Sequence, residues 1–178
     1  MAEYNFVTRW HLKAPIERVW EALLHAERWP SWWRGVEDAV LLERGADDRV
    51  GSLWRYTWKS ALPYRLTFEM RMTRIEPPVA LDGVARGELA GEGRWRLYRS
   101  EGGTLVRYEW DVRTTSRWMN LLSPLARPLF AWNHDVVMRQ GGEGLATLLG
   151  PSRTGWGART AGSPERGVPR VRRRGING

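Results

Sequence analysis

Apolar and polar residues alternate along much of the chain in separate runs of five to thirteen positions. Strict alternation places successive side chains on opposite faces, which is the pattern of a half-buried β-strand. Where one face is apolar and the other polar, the pattern indicates an antiparallel sheet that is covered on one side only. The runs predict seven strands at 4–12, 37–43, 51–59, 64–76, 80–88, 91–100 and 104–114.

Aromatic residues dominate the predicted inner face of this sheet. The inward positions in the clearest runs are Tyr4, Phe6, Thr8, Trp10 and Leu12; Trp54, Tyr56 and Trp58; Leu66, Phe68, Met70 and Met72; and Val106, Tyr108, Trp110 and Val112. Trp95 is also predicted to face inward, because Arg94 and Arg96 flank it and point outward by alternation. The turn Glu101-Gly102-Gly103 is a hairpin signal between the last two strands.

Helical spacing replaces alternation in three places. Ile16, Val19, Trp20 and Leu23 follow Pro15, which predicts a first helix with proline at its start. Pro30 can begin a second, short helix. A third and longest helix is predicted over roughly 123–149. The buried stripe predicted for it contains Leu129, Trp132, Val136, Val137, Gln140, Gly144 and Leu148.

Three glycines lie inside this long helix, at Gly141, Gly142 and Gly144. Glycine destabilises a helix interior, so a physical reason is needed for its presence. We expect the helix to approach a sheet or a ligand closely at these positions. The long helix is also the only predicted element large enough to cover the apolar face of a seven-stranded sheet.

The order of elements, together with several short stretches, resembles the START/Bet v 1-like (SRPBCC) superfamily, and in particular its bacterial polyketide cyclase/dehydrase-like branch. The matching stretches are 14–20, 29–33, 93–97 and 132–141, and the resemblance covers residues 3–149. It implies an α+β helix-grip fold, in which a seven-stranded curved antiparallel sheet wraps around the long C-terminal helix, with two short helices after the first strand. It also implies a cavity between sheet and helix.

Composition supports a cavity independently of the resemblance. Twelve tryptophans, eleven of them within residues 1–150, supply more aromatic area than a close-packed core of this size usually contains. Tryptophan is often incompletely buried, and its N–H group needs a partner. Indole rings around a cavity meet both conditions. They also offer flat surfaces to aromatic ligands.

The formal net charge of +8 is concentrated at the C-terminal end. Residues 151–178 hold seven arginines against one glutamate, so they carry +6 of the total, and they are rich in glycine. This segment is predicted to be a disordered tail, and residues 1–150 to be one ligand-binding domain. Contact of the tail with nucleic acid or an anionic membrane is the weakest of the functional hypotheses.

Several kinds of chemistry lack their residues in this sequence. The chain has no cysteine and no Gly-x-Ser-x-Gly motif, and Gly91-Glu92-Gly93 leads into a strand rather than a helix. A zinc site needs three convergent ligands, and no close spacing of His11, His25 or His134 with Asp or Glu supplies them. The sequence therefore predicts no metal and no cofactor. Without a basic-apolar leader or a long apolar run, it also predicts a cytoplasmic protein, as a monomer or homodimer.

Candidate site residues follow from the inward faces and from the helix. Asn133 is expected to face the cavity and His134 to lie towards its rim, with a contact or proton-transfer role possible for one of them. The predicted ligand-binding residues are Trp54, Tyr56, Phe68, Met70, Trp95, Tyr108, Trp110, Leu129 and Asn133.

Two functions remain open at this point. The first is binding of a hydrophobic, aromatic or polycyclic small molecule in the apolar cavity. The second is a polyketide cyclase or aromatase activity in the same cavity, which needs a shaped pocket and one general acid or base. Whether the chain is an enzyme is undecided and its catalytic residues are unknown. Convergent polar groups inside the cavity would favour the enzyme.

Overall fold

A computed structural model describes residues 3–47, 49–59, 64–115 and 123–150, with side chains from 128 onward in the last range. Ten helices and strands make up these ranges, joined by short turns. In chain order they are β1 (Glu3–Leu12), α1 (Ile16–Leu24), α2 (Trp29–Trp32), β2 (Val36–Glu43), β3 (Leu53–Lys59), β4 (Arg65–Glu76), β5 (Ala80–Gly87), β6 (Leu89–Ser100), β7 (Gly103–Thr114) and α3 (Ser123–Leu149). A single 3₁₀ turn, Ala26–Arg28, connects α1 to α2. The predicted tail lies outside the described residues.

The seven strands form one antiparallel sheet in the order β1-β7-β6-β5-β4-β3-β2. Each strand from β2 to β6 is hydrogen-bonded to the next strand in the chain, and β1 takes its place at the edge of the sheet by pairing with β7. The helix-grip architecture predicted from the sequence is confirmed, and the strands begin and end within two residues of their predicted positions. The hairpin at Glu101-Gly102 is also confirmed, with Gly102 at a φ of 77°.

Alternation places the predicted apolar residues on the inner face of the sheet. In β3, Trp54 and Tyr56 are buried while Arg55 is exposed, and in β7 Val106, Trp110 and Val112 are buried. These residues join one core with the inner faces of α1 and α3. Burial of this apolar surface is the main force that holds the sheet against the helices.

Charged residues pair across strands on the outer face. Arg94 bonds Asp111 at 2.8 Å and Glu92 at 2.5 Å, and Arg96 forms an ion pair with Asp82. Both arginines are only partly exposed, and both point away from the core, as predicted. The outer face of the sheet is therefore polar, and the apolar residues lie on the inner face.

Helix α3 packs against α2 and β1 through its glycines, and the expected close approach to the sheet is made by Gly142, where a Cβ atom would lie 3.0 Å from the indole of Trp10. A Cβ atom on Gly141 would lie 2.3 Å from the indole of Trp33, and one on Gly144 would lie 1.9 Å from the carbonyl oxygen of Trp32. The Trp33 indole N–H donates a hydrogen bond of 2.8 Å to the carbonyl oxygen of Val137. Close approach at the glycines allows this bond, which fixes the position of α3 over the sheet.

The stripe predicted for α3 is correct at Gly144, which packs against Trp32, but it is wrong for three of its apolar members. The buried residues of the helix are Met138, Gly141, Leu145 and Leu149, at a spacing of three or four. Three members of the predicted stripe are instead among the exposed residues of the structure. They are Leu129 at 43%, Trp132 at 51% and Leu148 at 49% exposure. The helix presents its glycines to the tryptophans below it, and this turns the more apolar residues outward.

Candidate functional site

A cavity of about 130 Å³ lies between α3 and the inner face of the sheet. Side chains from β1, α2, β3, β4, β6, β7 and α3 contribute to its wall. They are largely aromatic or aliphatic, with a few hydroxyl, amide and imidazole groups. The lining residues are Tyr4, Phe6, Trp29, Trp33, Tyr56, Trp58, Lys59, Tyr64, Leu66, Phe68, Met70, Leu89, Trp95, Tyr108, Trp110, Val112, Thr114, Phe130, Asn133, His134, Val137 and Met138.

Stacked rings form the sheet side of the cavity. Trp95 and Tyr108 lie with ring centroids 4.0 Å apart and planes 23° apart, and Tyr108 stacks in turn on Trp110 at 5.9 Å. Phe68 packs against Trp110 from the other side at 5.6 Å. The row is made of side chains from β6, β7 and β4. It offers flat, polarisable surfaces suited to stacking with an aromatic ring.

Gly93 makes room for this row of rings. A Cβ atom at Gly93 would lie 2.7 Å from the Tyr108 hydroxyl oxygen and 2.9 Å from the ring of Trp110. Gly93 pairs directly with Gly83 in the sheet, where a Cβ atom would lie 2.7 Å from the side chain of Met70. Two facing glycines thus create a depression in the inner face into which the cavity-lining side chains settle.

Trp33 anchors the end of the cavity next to α2. Its ring contacts those of Trp10, Trp29 and Trp58, with centroid distances of 5.5, 5.3 and 5.0 Å. It is only 1% exposed. Because its indole N–H is bonded to α3, this tryptophan cluster connects β1, α2, β3 and α3 and gives the cavity a rigid base.

His134 lies inside the cavity wall, not at the rim where the sequence analysis placed it. Its ring stacks on Phe6 of β1 with centroids 4.0 Å apart and planes 11° apart. Its side chain is 13% exposed. Burial lowers the pKa of His134 to about 4, against the opposing attraction of Asp135. The imidazole is therefore uncharged at neutral pH.

Two tyrosines of the wall are also held in their neutral form. Burial raises the pKa of Tyr56, with a further contribution from the charge of Glu27. Burial likewise raises the pKa of Tyr108. Both hydroxyl groups stay protonated over the physiological range, so these residues offer hydrogen bonds and not charge.

Seven of the nine predicted ligand-binding residues line the same cavity: Tyr56, Phe68, Met70, Trp95, Tyr108, Trp110 and Asn133. Trp54 does not. It borders a second space of about 30 Å³ on the far side of Trp29, Tyr56, Met70 and Trp95, where its indole N–H reaches the Ser52 hydroxyl at 3.3 Å. Leu129 is also outside, because the rotation of α3 turns it to the surface.

Some wall residues were not assigned to the cavity by the sequence analysis: Trp29 comes from α2, Trp33 follows α2 directly, and Phe130 and Met138 come from α3. His134 and Val137 also line the cavity from α3, where the sequence analysis expected His134 at the rim and Val137 on the buried stripe of the helix. The spacing 130, 134, 137, 138, 141 and 145 is a helical stripe in the sequence, but it contains a histidine and a glycine. Tyr4 and Phe6 were predicted to face inward, and alternation alone placed them beside the other wall residues.

Within the described ranges, no group of three or more His, Cys, Asp or Glu side chains is arranged to hold a metal ion. None of the helices in these ranges is long and apolar enough to span a membrane.

The family model described as polyketide cyclase/dehydrase and lipid transport matches residues 12–137, well over half of the chain. The chain belongs to this family. The resemblance noted in the sequence is thereby confirmed, and the membership supports a hydrophobic ligand-binding fold or a cyclase role. A comparison with curated proteins gives no match.

Solved structures similar to this family member share its fold at low sequence identity. The di-domain aromatase/cyclase BexL of the BE-7585A biosynthetic pathway superposes with a TM-score of 0.67 at 16% identity, over 83% of this chain and 50% of BexL. The present chain thus spans half the length of BexL. The ZhuI aromatase/cyclase from Streptomyces sp. R1128 gives 0.66 at 16% identity, over 83% of this chain and 93% of that one. TTHA0849 from Thermus thermophilus gives 0.65 at 17% identity, over 84% and 100%.

Proposed function

We propose that the chain binds a neutral, hydrophobic small molecule with an aromatic ring in the cavity between α3 and the sheet. The observation that carries this proposal is the wall itself, in which the stacked rings of Trp95, Tyr108 and Trp110 face the apolar side chains of α3. Concave, mostly apolar sites with a few polar groups are the usual form of small-molecule sites.

The volume of the cavity limits the size of the ligand. An apolar cavity of roughly 150 Å³ is large enough to bind benzene. The cavity here measures about 130 Å³, which favours a molecule with one ring. A polycyclic ligand, which the sequence analysis also allowed, would need the wall to move apart.

The protonation states favour an uncharged ligand. His134 is neutral, and the hydroxyls of Tyr56 and Tyr108 stay protonated. Lys59 contributes the only lysine or arginine side chain to the described wall, and it is an exposed residue at the end of β3. Bringing an ion into such a site would cost its hydration without a buried partner in return.

Calorimetric titration with p-xylene, a one-ring apolar probe, tests this proposal. Leu66→Trp adds an indole to the wall and is expected to weaken p-xylene binding at least about tenfold, equivalent to roughly 1.4 kcal/mol. Leu129→Trp makes the same chemical change at an exposed position on α3 and should leave the affinity unchanged. Equal affinity in the two variants, or no binding by the wild type, would contradict the proposal.

A cyclase or aromatase activity is the second candidate. It is favoured by the presence of polar side chains in the wall of the apolar cavity, namely Tyr108, Asn133 and His134. In an aldol cyclisation a carbon–carbon bond forms between an enol carbon and a ketone of the same molecule, and water leaves in the aromatising step. A neutral imidazole could accept the enolising proton and return it to the new alkoxide.

A linear poly-β-ketone thioester is the probe for this second candidate, with cyclised product followed by mass spectrometry. If the chain is a cyclase, the cyclised product should form faster with the protein than in buffer alone. The variant His134→Phe should lower the rate of product formation while it retains the affinity for p-xylene. If protein that binds p-xylene forms the product no faster than buffer does, catalysis is rejected and ligand binding remains as the function.

A further inference from the structure

Both ring nitrogens of His134 are buried, and neither has a hydrogen-bond partner among the described side chains and backbone. Buried polar atoms in proteins are nearly always hydrogen-bonded, and leaving one unsatisfied lowers the stability of the fold. An imidazole with two unsatisfied nitrogens in a cavity wall is therefore unusual, because it destabilises the fold. The cavity is the place from which a partner could come.

The neighbours of His134 do not supply that partner. Phe6 covers one face of the ring at 4.0 Å, and Phe130, one turn earlier on α3, is apolar. Asp135 approaches Nδ1 only to 3.7 Å, which is too long for a hydrogen bond, and its side chain is 79% exposed. The close contact that holds the ring is thus the stacking on Phe6, with Asp135 adding only a longer electrostatic attraction.

We propose that His134 is the hydrogen-bonding anchor of the cavity and that the ligand it selects is a phenol, with its ring among the stacked aromatic side chains and its hydroxyl on the imidazole. This inference rests on the function proposed above and adds the chemical class of the ligand.

A hydroxyl group complements a neutral imidazole better than the alternatives do. Neutral imidazole has one donor and one acceptor nitrogen, and a hydroxyl group can serve either of them. A ketone or ether can only accept, and a carboxylate would have to lose its hydration in a wall with no buried cation. A phenol combines a hydroxyl group with the single aromatic ring that the cavity accommodates.

Trp58 is the competing anchor. Its indole N–H is also buried without a partner in the described part of the chain, and its side chain lines the same cavity. The indole N–H can only donate a hydrogen bond, so it would donate to an ether or ketone oxygen as readily as to a phenolic oxygen. The two anchors therefore predict different responses to substitution.

The test compares p-cresol with p-xylene, which have nearly the same shape and differ in one hydroxyl group. The wild type is expected to bind p-cresol at least about tenfold more tightly than p-xylene. His134→Phe keeps a ring to stack on Phe6 but removes both nitrogens, and it should bring the two affinities together. His11→Gln changes an exposed histidine on the outer face and should keep the preference.

The outcomes separate the anchor from the proposed function. If neither molecule binds the wild type, the proposed function fails. If both bind equally, the cavity is a binding site but the anchor is wrong. A preference for p-cresol that survives His134→Phe and is lost in Trp58→Phe would overturn the assignment to His134. Tighter binding of 4-methylbenzoate than of p-cresol would overturn the phenol.

Nitrogen NMR of the histidine ring supplies a readout that a purely structural role would not change. Donation of a hydrogen bond from p-cresol should shift the acceptor nitrogen of His134 and leave the nitrogens of His11 unmoved, and p-xylene should produce no such shift. Should His134→Phe fail to fold, this measurement on the wild type still decides the matter. Unchanged His134 nitrogen signals in protein saturated with p-cresol would reject the anchor.

Discussion

His134 makes the stability of the folded chain depend on pH. Its pKa is lowered from 6.5 to about 4 by burial, and it stacks on Phe6 in the neutral form. Above pH 6.5 the ring is neutral in both the folded and unfolded chain and contributes no pH dependence. Between pH 6.5 and 4 the unfolded chain binds a proton that the folded chain excludes, so stability falls as the pH falls.

The expected size of this loss is about 3 kcal/mol between neutral pH and pH 4. Urea unfolding at a series of pH values measures it. His134→Phe should remove this part of the pH dependence, while His11→Gln should retain it. Superimposable pH profiles for the wild type and His134→Phe would show that the imidazole is not buried in the neutral state.

The same residue shows where a hydrophobicity pattern fails as a guide to a site. Alternation along the strands placed Tyr56, Phe68, Trp95, Tyr108 and Trp110 on the inner face, and the structure puts all five in the cavity wall. A histidine in the wall has no such signature, because its burial comes from tertiary contact with Phe6 and not from its own polarity.

Helix α3 is docked by small residues, and this explains both its rotation and the error in predicting it. The order and bounds of the elements follow from local periodicity, so the sequence alone predicts them closely. The rotation of α3 depends on which residues allow close approach to Trp32 and Trp33, and Gly141 and Gly144 do so. A pattern that weights Leu129 and Trp132 as buried therefore selects the wrong face.

Gly144→Ala tests this docking. Alanine is the better helix former by about 1 kcal/mol, so an exposed position would be stabilised. At Gly144 the added methyl group would lie 1.9 Å from the backbone carbonyl of Trp32, and α2 and α3 would have to separate. We expect a net loss of about 2 kcal/mol in the free energy of unfolding. Glu143→Ala, at the exposed neighbouring position, should change it by less than about 0.5 kcal/mol.

Leu145 and Leu148 form a matched pair on the last turns of α3. Leu145 is 0% exposed and Leu148 is 49% exposed. Leu145→Ala should cost about 2–5 kcal/mol through lost burial and the space left behind, and Leu148→Ala should cost less than about 1 kcal/mol. Both losses can be measured as shifts in the midpoint of urea unfolding, provided that the dependence of the unfolding free energy on urea concentration is unchanged. A larger cost at Leu148 would restore the rotation predicted from sequence and contradict the structure.

For the molecule as a whole, sheet and helix leave space between them where a close-packed core could have formed. The tryptophan cluster around Trp33 connects four elements, so the base of the cavity is rigid, while facing glycines at Gly83 and Gly93 keep the inner face of the sheet open. Part of this could be read from the sequence, since twelve tryptophans exceed what a filled core needs. The position of the cavity along the strands could not, and Trp54 lies beyond it for that reason.

Two apolar regions of the molecule compete as the place where a small molecule would bind. One is the cavity, where Met138 of α3 and Met70 of β4 contribute to the wall. The other is the exposed surface of α3, where Leu129 and Trp132 lie towards its start and Leu148 lies at its end. An affinity alone does not distinguish these places, but proximity of ligand protons to particular methyl groups does.

Intermolecular nuclear Overhauser effects between bound p-xylene and the methyl groups of the protein therefore test the central claim most directly. The structure predicts cross-peaks from the ligand to the methyl groups of Met70 and Met138 and none to Leu129 or Leu148. Cross-peaks confined to Leu129, or confined to Leu148, would place the ligand on the exposed surface of α3 and contradict the account.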